Sequence, residues 1–378
     1  MPETSPLSHF TPLQTIVCCP HSRSPLSLLN TVELARRLPE EERYRIPKGT
    51  VGAFVSESAQ TAYPIVGRIV DFLEQDSLQL SNERRNERTE GQQEELSIQE
   101  SVKQWYDDFG WLRNDSGIYN DTALFSQNRL TAHGAYELAS HVSLLNRLSG
   151  GEFVLDAASG PIAHPEYLAY SWFYKYHVCV DFSQTALREA QAKLEGKGFS
   201  CMANICQLPF REGVFDGIVS GYTLQHIAES QQSKAVTELY RVLKPGSHLC
   251  VISEVRQTRA HRMLVLALRA IRKVLRLLSI AGMRTNRPRA AETSAFPKPP
   301  HELYCRPRYP AWWRKQGQSL TDFYVLEGLR LFNKEEFGFF FGNSMRAAKS
   351  VRAVEVLFPG LAARMCAYLL VDFSKPLD

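Results

Sequence analysis

From residue 153 onward the apolar positions fall into short continuous runs, each closed by a polar or turn residue. Phe153-Val154-Leu155 ends at Asp156, and His177-Val178-Cys179-Val180 ends at Asp181. Further runs cover Ser200–Ala203, Phe215–Ser220 and Leu249–Ser253, with two more at Asp322–Leu329 and Ala367–Phe373. Runs of this length, without strict alternation, read as strands buried on both faces. Between them the spacing turns helical. Ser183–Leu194 predicts a helix with Ser183 as N-cap, and Ser230–Leu243 predicts one stopped by Pro245-Gly246. A helix around Thr131–Leu148 precedes the first strand. Strand and helix alternate, so the expected fold is α/β, a mostly parallel sheet with helices on both faces.

The chain before residue 150 is patterned differently. Residues 1–80 read as a small unit with a proline-bounded start, an amphipathic stretch near Leu28–Leu38 and a strand from Tyr63 to Val70. Residues 81–100 are almost all polar and predict a linker. The remainder, 101–378, reads as one domain carrying an insertion at 256–309. Aromatic residues return at Trp105-Tyr106-Asp107-Asp108-Phe109-Gly110-Trp111.

Composition narrows the class. With 44% hydrophobic and 22% charged residues, the chain is ordinary for a water-soluble globular protein. Neither a basic-then-apolar leader nor a membrane-length apolar run is present in the sequence. Eight cysteines, scattered apart from Cys18-Cys19, suit reduced thiols in a cytoplasm better than a disulfide framework. The net charge of +4 hides an asymmetry. Residues 256–308 hold thirteen Lys/Arg against two Glu, so the rest of the chain is net acidic and the basic character is local.

The two strand-closing acids, 25 residues apart, carry the chemistry. A tight turn after the first strand, Asp156-Ala157-Ala158-Ser159-Gly160-Pro161, lets backbone N–H groups approach a ligand. An acid ending the second strand accepts ribose hydroxyls. The turn has one glycine, which argues against a diphosphate and hence against a dinucleotide. Pro165 is expected to open a helix whose N-terminus favours a carboxylate. Asn204-Ile205 follows the third strand, where an amide can read an adenine edge. Ser220-Gly221-Tyr222 closes the fourth, and Leu243-Lys244-Pro245-Gly246 precedes the fifth.

In this ordered series, Asp156 to Ser253 resembles the class I S-adenosylmethionine-dependent methyltransferases. The resemblance implies a Rossmann-like seven-stranded sheet whose last strand, Ala367–Phe373, is antiparallel. It implies S-adenosylmethionine as cofactor, its methionine part held by Asp156, Ala157, Ala158, Ser159 and Gly160. By the same resemblance Asp181 holds the ribose, Phe182 lies against the adenine with Asn204 and Ile205, and Ser220-Gly221 lines the methyl side. Ala158 stands where the family usually has glycine, and Asn204 where it usually has aspartate.

Methyl transfer from a sulfonium is an in-line displacement, so the protein chiefly positions the nucleophile and excludes water. Tyr222, Gln225 and His226 follow the fourth strand, and His226 has a pKa suited to a base. His164 in the cofactor loop can face the substrate. Tyr106, Tyr119 and Arg129 lie in the segment that lids the cofactor in this family. The expected activity is methylation of a small or lipid-like metabolite. An RNA methyltransferase and a catalytically silent binding protein are the alternatives.

Val17-Cys18-Cys19-Pro20-His21-Ser22 and Tyr63-Pro64-Ile65-Val66-Gly67-Arg68-Ile69 resemble the zinc-ribbon module that accompanies some methyltransferases. Ser22 replaces the second cysteine, and Ser56 and Ser58 lie where a second pair belongs. Serine is a poor zinc ligand, so a degenerate, metal-free ribbon is expected. In the insertion, Arg259, Arg262, Arg269, Arg272, Lys273 and Arg276 fall within an arc of about 140° if helical. Met263, Leu264, Leu268, Ile271, Leu275 and Leu278 fall opposite, while Val265, Leu266 and Ile280 interrupt the basic arc. A cap over the substrate mouth is the first expectation for this helix, and peripheral membrane contact through 259–280 the second. Nucleic acid is disfavoured because the basic face lacks aromatic residues. Residues 285–310 read as an exposed loop.

Overall fold

The structure, a computed structural model, describes residues 7–81, 89–125, 131–279 and 299–377. Seven strands form its centre: β6 (Gly151–Ala157), β7 (Tyr174–Asp181), β8 (Gly198–Met202), β9 (Phe215–Gly221), β10 (Leu243–Glu254), β11 (Tyr324–Arg330) and β12 (Tyr368–Ser374). Their order across the sheet is β8-β7-β6-β9-β10-β12-β11. Pairs from β8 to β10 are parallel, and β12 runs antiparallel to both β10 and β11. The seven-stranded α/β sheet with an antiparallel last strand is therefore as expected. The strand order reverses beside β6, which opens a crevice at the C-terminal ends of β6, β7 and β9.

Ser183 caps the helix Gln184–Lys193, its hydroxyl accepting from the Ala186 N–H at 3.1 Å. The helix Gln232–Val242 ends one residue before β10, earlier than Pro245-Gly246, because Leu243 already pairs with Phe215. β10 then bulges between Leu243 and His248, where Gly246 takes φ 77°.

The first 80 residues add to this sheet. β1 (Ser27–Asn30), β2 (Thr50–Ser56), β3 (Thr61–Val66) and β4 (Ile69–Asp71) form an antiparallel run, with β5 (Leu78–Gln79) on β3, and β4 pairs in parallel with β8. Phe10, Phe54, Tyr63 and Phe72 share one apolar core with Phe199, Cys201 and Phe210. The single strand expected over Tyr63–Val70 is a hairpin instead, because Gly67 turns the chain at φ 62°. The stretch Leu28–Leu38 splits into β1 and a helix, Thr31–Arg37, at the capping residue Asn30.

The polar stretch expected as a linker is helical in its second half. A helix runs Glu90–Trp105, opened by a capping box of Thr89 and Gln92, and buries Val102 and Trp105. Ile98, Val102 and Trp105 share one side of it, which a count of polar residues does not register. The helix Ala132–Val142 is capped by Thr131 and stops short of Leu148. The insertion forms a 21-residue helix, Arg259–Ser279. Arg129, Ile280, the side chains of Arg276 and Leu278, and the first part of the loop expected at 285–310 lie outside the described residues. Among the described residues, no helix is long and apolar enough to cross a membrane.

Candidate functional site

A cavity of about 440 Å³ opens at the C-terminal rim of the sheet. Its floor is the turn after β6. The N–H groups of Ala158 and Ser159 both donate to Val180 O, at 2.7 and 3.1 Å, which pins the turn to β7. Ala158 and Ile162 adopt left-handed conformations, at φ 62° and 52°. A non-glycine residue there carries strain of about 1–2 kcal/mol. Gly160 is also left-handed, at φ 53°, and a Cβ on it would lie 2.7 Å from the Trp111 ring. Trp111 in turn stacks on Tyr106 with ring centroids 4.8 Å apart.

Asp181 closes β7 beside this turn. Its Oδ2 accepts the Gly160 N–H at 2.8 Å and its Oδ1 the Ser183 N–H at 2.9 Å. The Phe182 N–H also stabilises the carboxylate, which keeps acceptor capacity for a ligand hydroxyl. Burial raises the carboxyl pKa to about 6, against the opposing pull of those backbone donors. Gly221 ends β9 on the cavity wall, and a Cβ there would meet nothing within 4 Å.

Asp156, Ala158, Ser159, Asp181, Phe182, Ile205 and Gly221 all line the cavity. Ala157 and Ser220 stand behind it, joined by a hydrogen bond from Ser220 Oγ to Ala157 O. Asn204 faces a second cavity of about 500 Å³, between the helix Glu90–Trp105 and the first 80 residues. Its amide oxygen accepts the Cys206 N–H and its amide nitrogen donates to Gln99. The helix expected to follow the turn with a carboxylate at its N-terminus is only Pro165–Leu168. One turn supplies little dipole for a carboxylate. Tyr106 lines the cavity, whereas the Tyr119 hydroxyl is engaged outside it by Glu189, Arg113 and Lys193.

The acceptor-side candidates His164, Tyr222, Gln225 and His226 also line the cavity. His226 Nδ1 donates to Tyr304 O at 2.8 Å, leaving Nε2 as the basic nitrogen, and burial lowers the ring's pKa so that it is neutral. Tyr222 sits at φ 57°, a conformation that turns its hydroxyl into a buried network. It lies 2.7 Å from His141 Nε2 and accepts from Arg330 at 2.9 Å. His141 Nδ1 faces Glu166 at 3.0 Å, and Arg330 pairs with Glu137 at 3.2 Å. Tyr222 is thereby committed to positioning.

Sequence reasoning missed several wall residues. Tyr368 pairs with Glu254 across β10 and β12, and with Arg330 across β12 and β11, so the three stand side by side at the rim. The Arg330 guanidinium lies 3.9 Å over the Tyr368 ring. Burial opposes its charge, but the fields of Tyr222, Glu137 and Tyr368 outweigh that and raise its pKa. Burial raises the pKa of Glu254 as well, and Asp121 is pushed to about 7 by burial and by Glu137. A signal was present: Arg330 interrupts the apolar run Leu329–Phe332, where a charge survives only if paired.

In the first 80 residues, Cys18 and Cys19 are buried, and Cys19 Sγ lies 3.3 Å from the Tyr63 hydroxyl. The serines of the two segments lie against each other. Ser22 bonds to Ser58 at 3.0 Å and Ser24 to Ser56 at 3.0 Å.

Residues 155–251 match the methyltransferase domain family. Over 78 residues the chain is 36% identical to a demethylmenaquinone methyltransferase of Thermus thermophilus, covering 20% of this chain and 34% of that protein. Over 80 residues it is 35% identical to a ubiquinone/menaquinone biosynthesis C-methyltransferase of Yersinia enterocolitica, covering 20% and 31%. A solved phosphoethanolamine N-methyltransferase 2 of Haemonchus contortus aligns over 73% of this chain and 60% of its own at 15% identity, with a TM-score of 0.43. The chain spans about a third of the length of the curated relatives it matches. The segment that builds β6 to β10, and with them the floor of the cavity, is thus the segment similar to a methyltransferase domain.

Proposed function

We propose that this chain transfers a methyl group from S-adenosylmethionine to a small, largely apolar acceptor. The observation that carries the reading is the pairing of Asp181, a cavity-lining carboxylate at the end of β7, with the empty space over Gly221 at the cavity wall. Those features fit a nucleoside ligand, with Asp181 accepting its ribose hydroxyls, Phe182 and Ile205 flanking its base, and the Asp156–Gly160 turn holding its methionine part. When bound, that ligand supplies an electrophilic methyl carbon. The chain's own residues orient the acceptor, exclude water and take up a proton. Neutral His226, with Nε2 as its basic nitrogen, is the group suited to the proton. Half-buried Glu254, its pKa raised by desolvation, is suited to orienting a hydroxyl or amine.

An apolar acceptor suits a chamber walled by Tyr167, Tyr170, Ile252 and Tyr368. The relatives, by their names, act on demethylmenaquinone or in ubiquinone and menaquinone biosynthesis, which belongs to the same chemical range. In the same proposal the first 80 residues are a degenerate, metal-free ribbon in which Ser22, Ser24, Ser56 and Ser58 close on one another.

The test is incubation of purified protein and methyl-labelled cofactor with separated cell fractions. Label is expected in the solvent-extractable, low-molecular-weight fraction and lost in Asp181→Ala. Label appearing instead in RNA would overturn the acceptor class.

A further inference from the structure

Among the described residues, the helix Arg259–Ser279 contributes nothing to the cavity lining, so the expected cap over the substrate mouth is not seen, and one of its faces is exposed. Its sequence holds six Arg/Lys and no Asp or Glu. One side is anchored. His261 is buried, with Nδ1 donating to Met365 O at 2.6 Å and Nε2 3.0 Å from Glu336. Val265 is buried on the same side, and Leu264 and Leu268 pack against the cluster around Phe337.

At about 100° per residue, the opposite side presents Met263, Leu266, Val274 and Leu277 within an arc of about 80°, with Arg259 the cation inside it at its first turn. Those four are 65%, 58%, 53% and 62% exposed. Arg262, Arg269 and Lys273 edge the stripe and are exposed too. Water-facing positions on a surface helix are ordinarily polar, and an apolar stripe along the outward face marks a surface that something covers.

The charges say what covers it. Cations beside an apolar stripe, with no acid among them, match a surface that is anionic outside and apolar beneath. A second copy of the chain would set like charges against like across a twofold axis. A nucleic acid would meet apolar side chains and no aromatic platform along the stripe.

We propose that this helix lies along anionic phospholipid bilayers, with Met263, Leu266, Val274 and Leu277 in the acyl boundary and Arg262, Arg269 and Lys273 at the phosphates. The helix begins five residues beyond Glu254, which lines the cavity. The proposal stands apart from the methyl-transfer reading, because its test needs no cofactor.

The experiment is co-sedimentation of the full chain with phosphatidylglycerol-rich vesicles and with pure phosphatidylcholine vesicles. Two variants accompany it, Leu266→Glu with Val274→Glu, and Arg269→Glu with Lys273→Glu. All four positions are exposed, and thermal melts verify the fold. The intact chain is expected to sediment with the anionic vesicles at low salt, to be weakened by high salt, and to prefer them over phosphatidylcholine. Each double variant is expected to lower partitioning on the order of tenfold or more. The salt titration needs no variant and so stands even if one misfolds. The proposal fails if the intact chain stays in the supernatant, or binds both vesicle types alike at every salt concentration. It fails equally if folded variants bind as the intact chain does. A dimer that Leu266→Glu with Val274→Glu dissociates, without vesicle binding, would assign the stripe to a second copy.

Discussion

The two ends of the cavity are built in opposite ways. The donor end comes from one stretch, residues 156–221, and is made of strand termini and backbone: the turn after β6, Asp181 and Gly221. The acceptor end is assembled from distant segments, with Asp121, Glu137, Tyr222, Glu254, Arg330 and Tyr368 meeting at the rim. The donor end depends on local geometry, whereas the acceptor end depends on a buried charge network. Substitutions should therefore separate the two, the first kind costing ligand affinity and the second costing stability.

The largest effect belongs to the network. Arg330→Met leaves Glu137 buried without its guanidinium and removes the donor to Tyr222. Breaking such a pair costs about 3–5 kcal/mol, read as a lowered urea midpoint. Unchanged stability would mean that the acceptor end is no unit.

At the donor end, Gly221→Leu sends a side chain into open space. Stability should hold while affinity for S-adenosylhomocysteine falls by about tenfold to a hundredfold, the range of a 1–3 kcal/mol overlap. Equal losses of both would blur the contrast.

Acidification acts at the donor end too. The Asp181 pKa is raised to about 6 in the folded chain, against about 3.9 unfolded. Between those values the folded state holds a proton that the unfolded state lacks. Asp181 thus contributes stability at the low end of the window, which is lost as pH rises through about 6. Binding runs the other way, since a protonated carboxyl has fewer lone pairs for hydroxyls. Cofactor affinity should fall by up to about tenfold per pH unit below about 6, visible in titrations at stepped pH.

The smallest effect is Ala158→Gly. Relief of left-handed strain at φ 62° is largely offset by unfolded-state entropy, leaving a gain of about 0.5 kcal/mol. A loss would mean that the Ala158 methyl makes contacts worth more than the strain.

The same contrast governs what the sequence disclosed. Strand ends at Asp156, Asp181 and Gly221 were legible because a run of apolar residues and the polar residue closing it are neighbours in the chain. The side-by-side row of Glu254, Tyr368 and Arg330 was not, since it exists only through the antiparallel insertion of β12 between β10 and β11. Nor was the junction of β4 with β8, which joins residues 69–71 to 200–202. Pairing across such separations is set by the topology of the whole sheet. The hairpin at Gly67 was hidden for a smaller reason, one glycine inside an otherwise uniform β-patterned run.

The most direct test of the donor end is calorimetric titration of the intact chain and of Asp181→Ala with S-adenosylmethionine and S-adenosylhomocysteine. The account predicts saturable binding of both by the intact chain. Asp181→Ala should bind neither detectably, because two charge-assisted hydrogen bonds of about 1.5–3 kcal/mol each are lost. Absence of binding by the folded intact chain, or an Asp181→Ala variant binding as tightly as the parent, would contradict it.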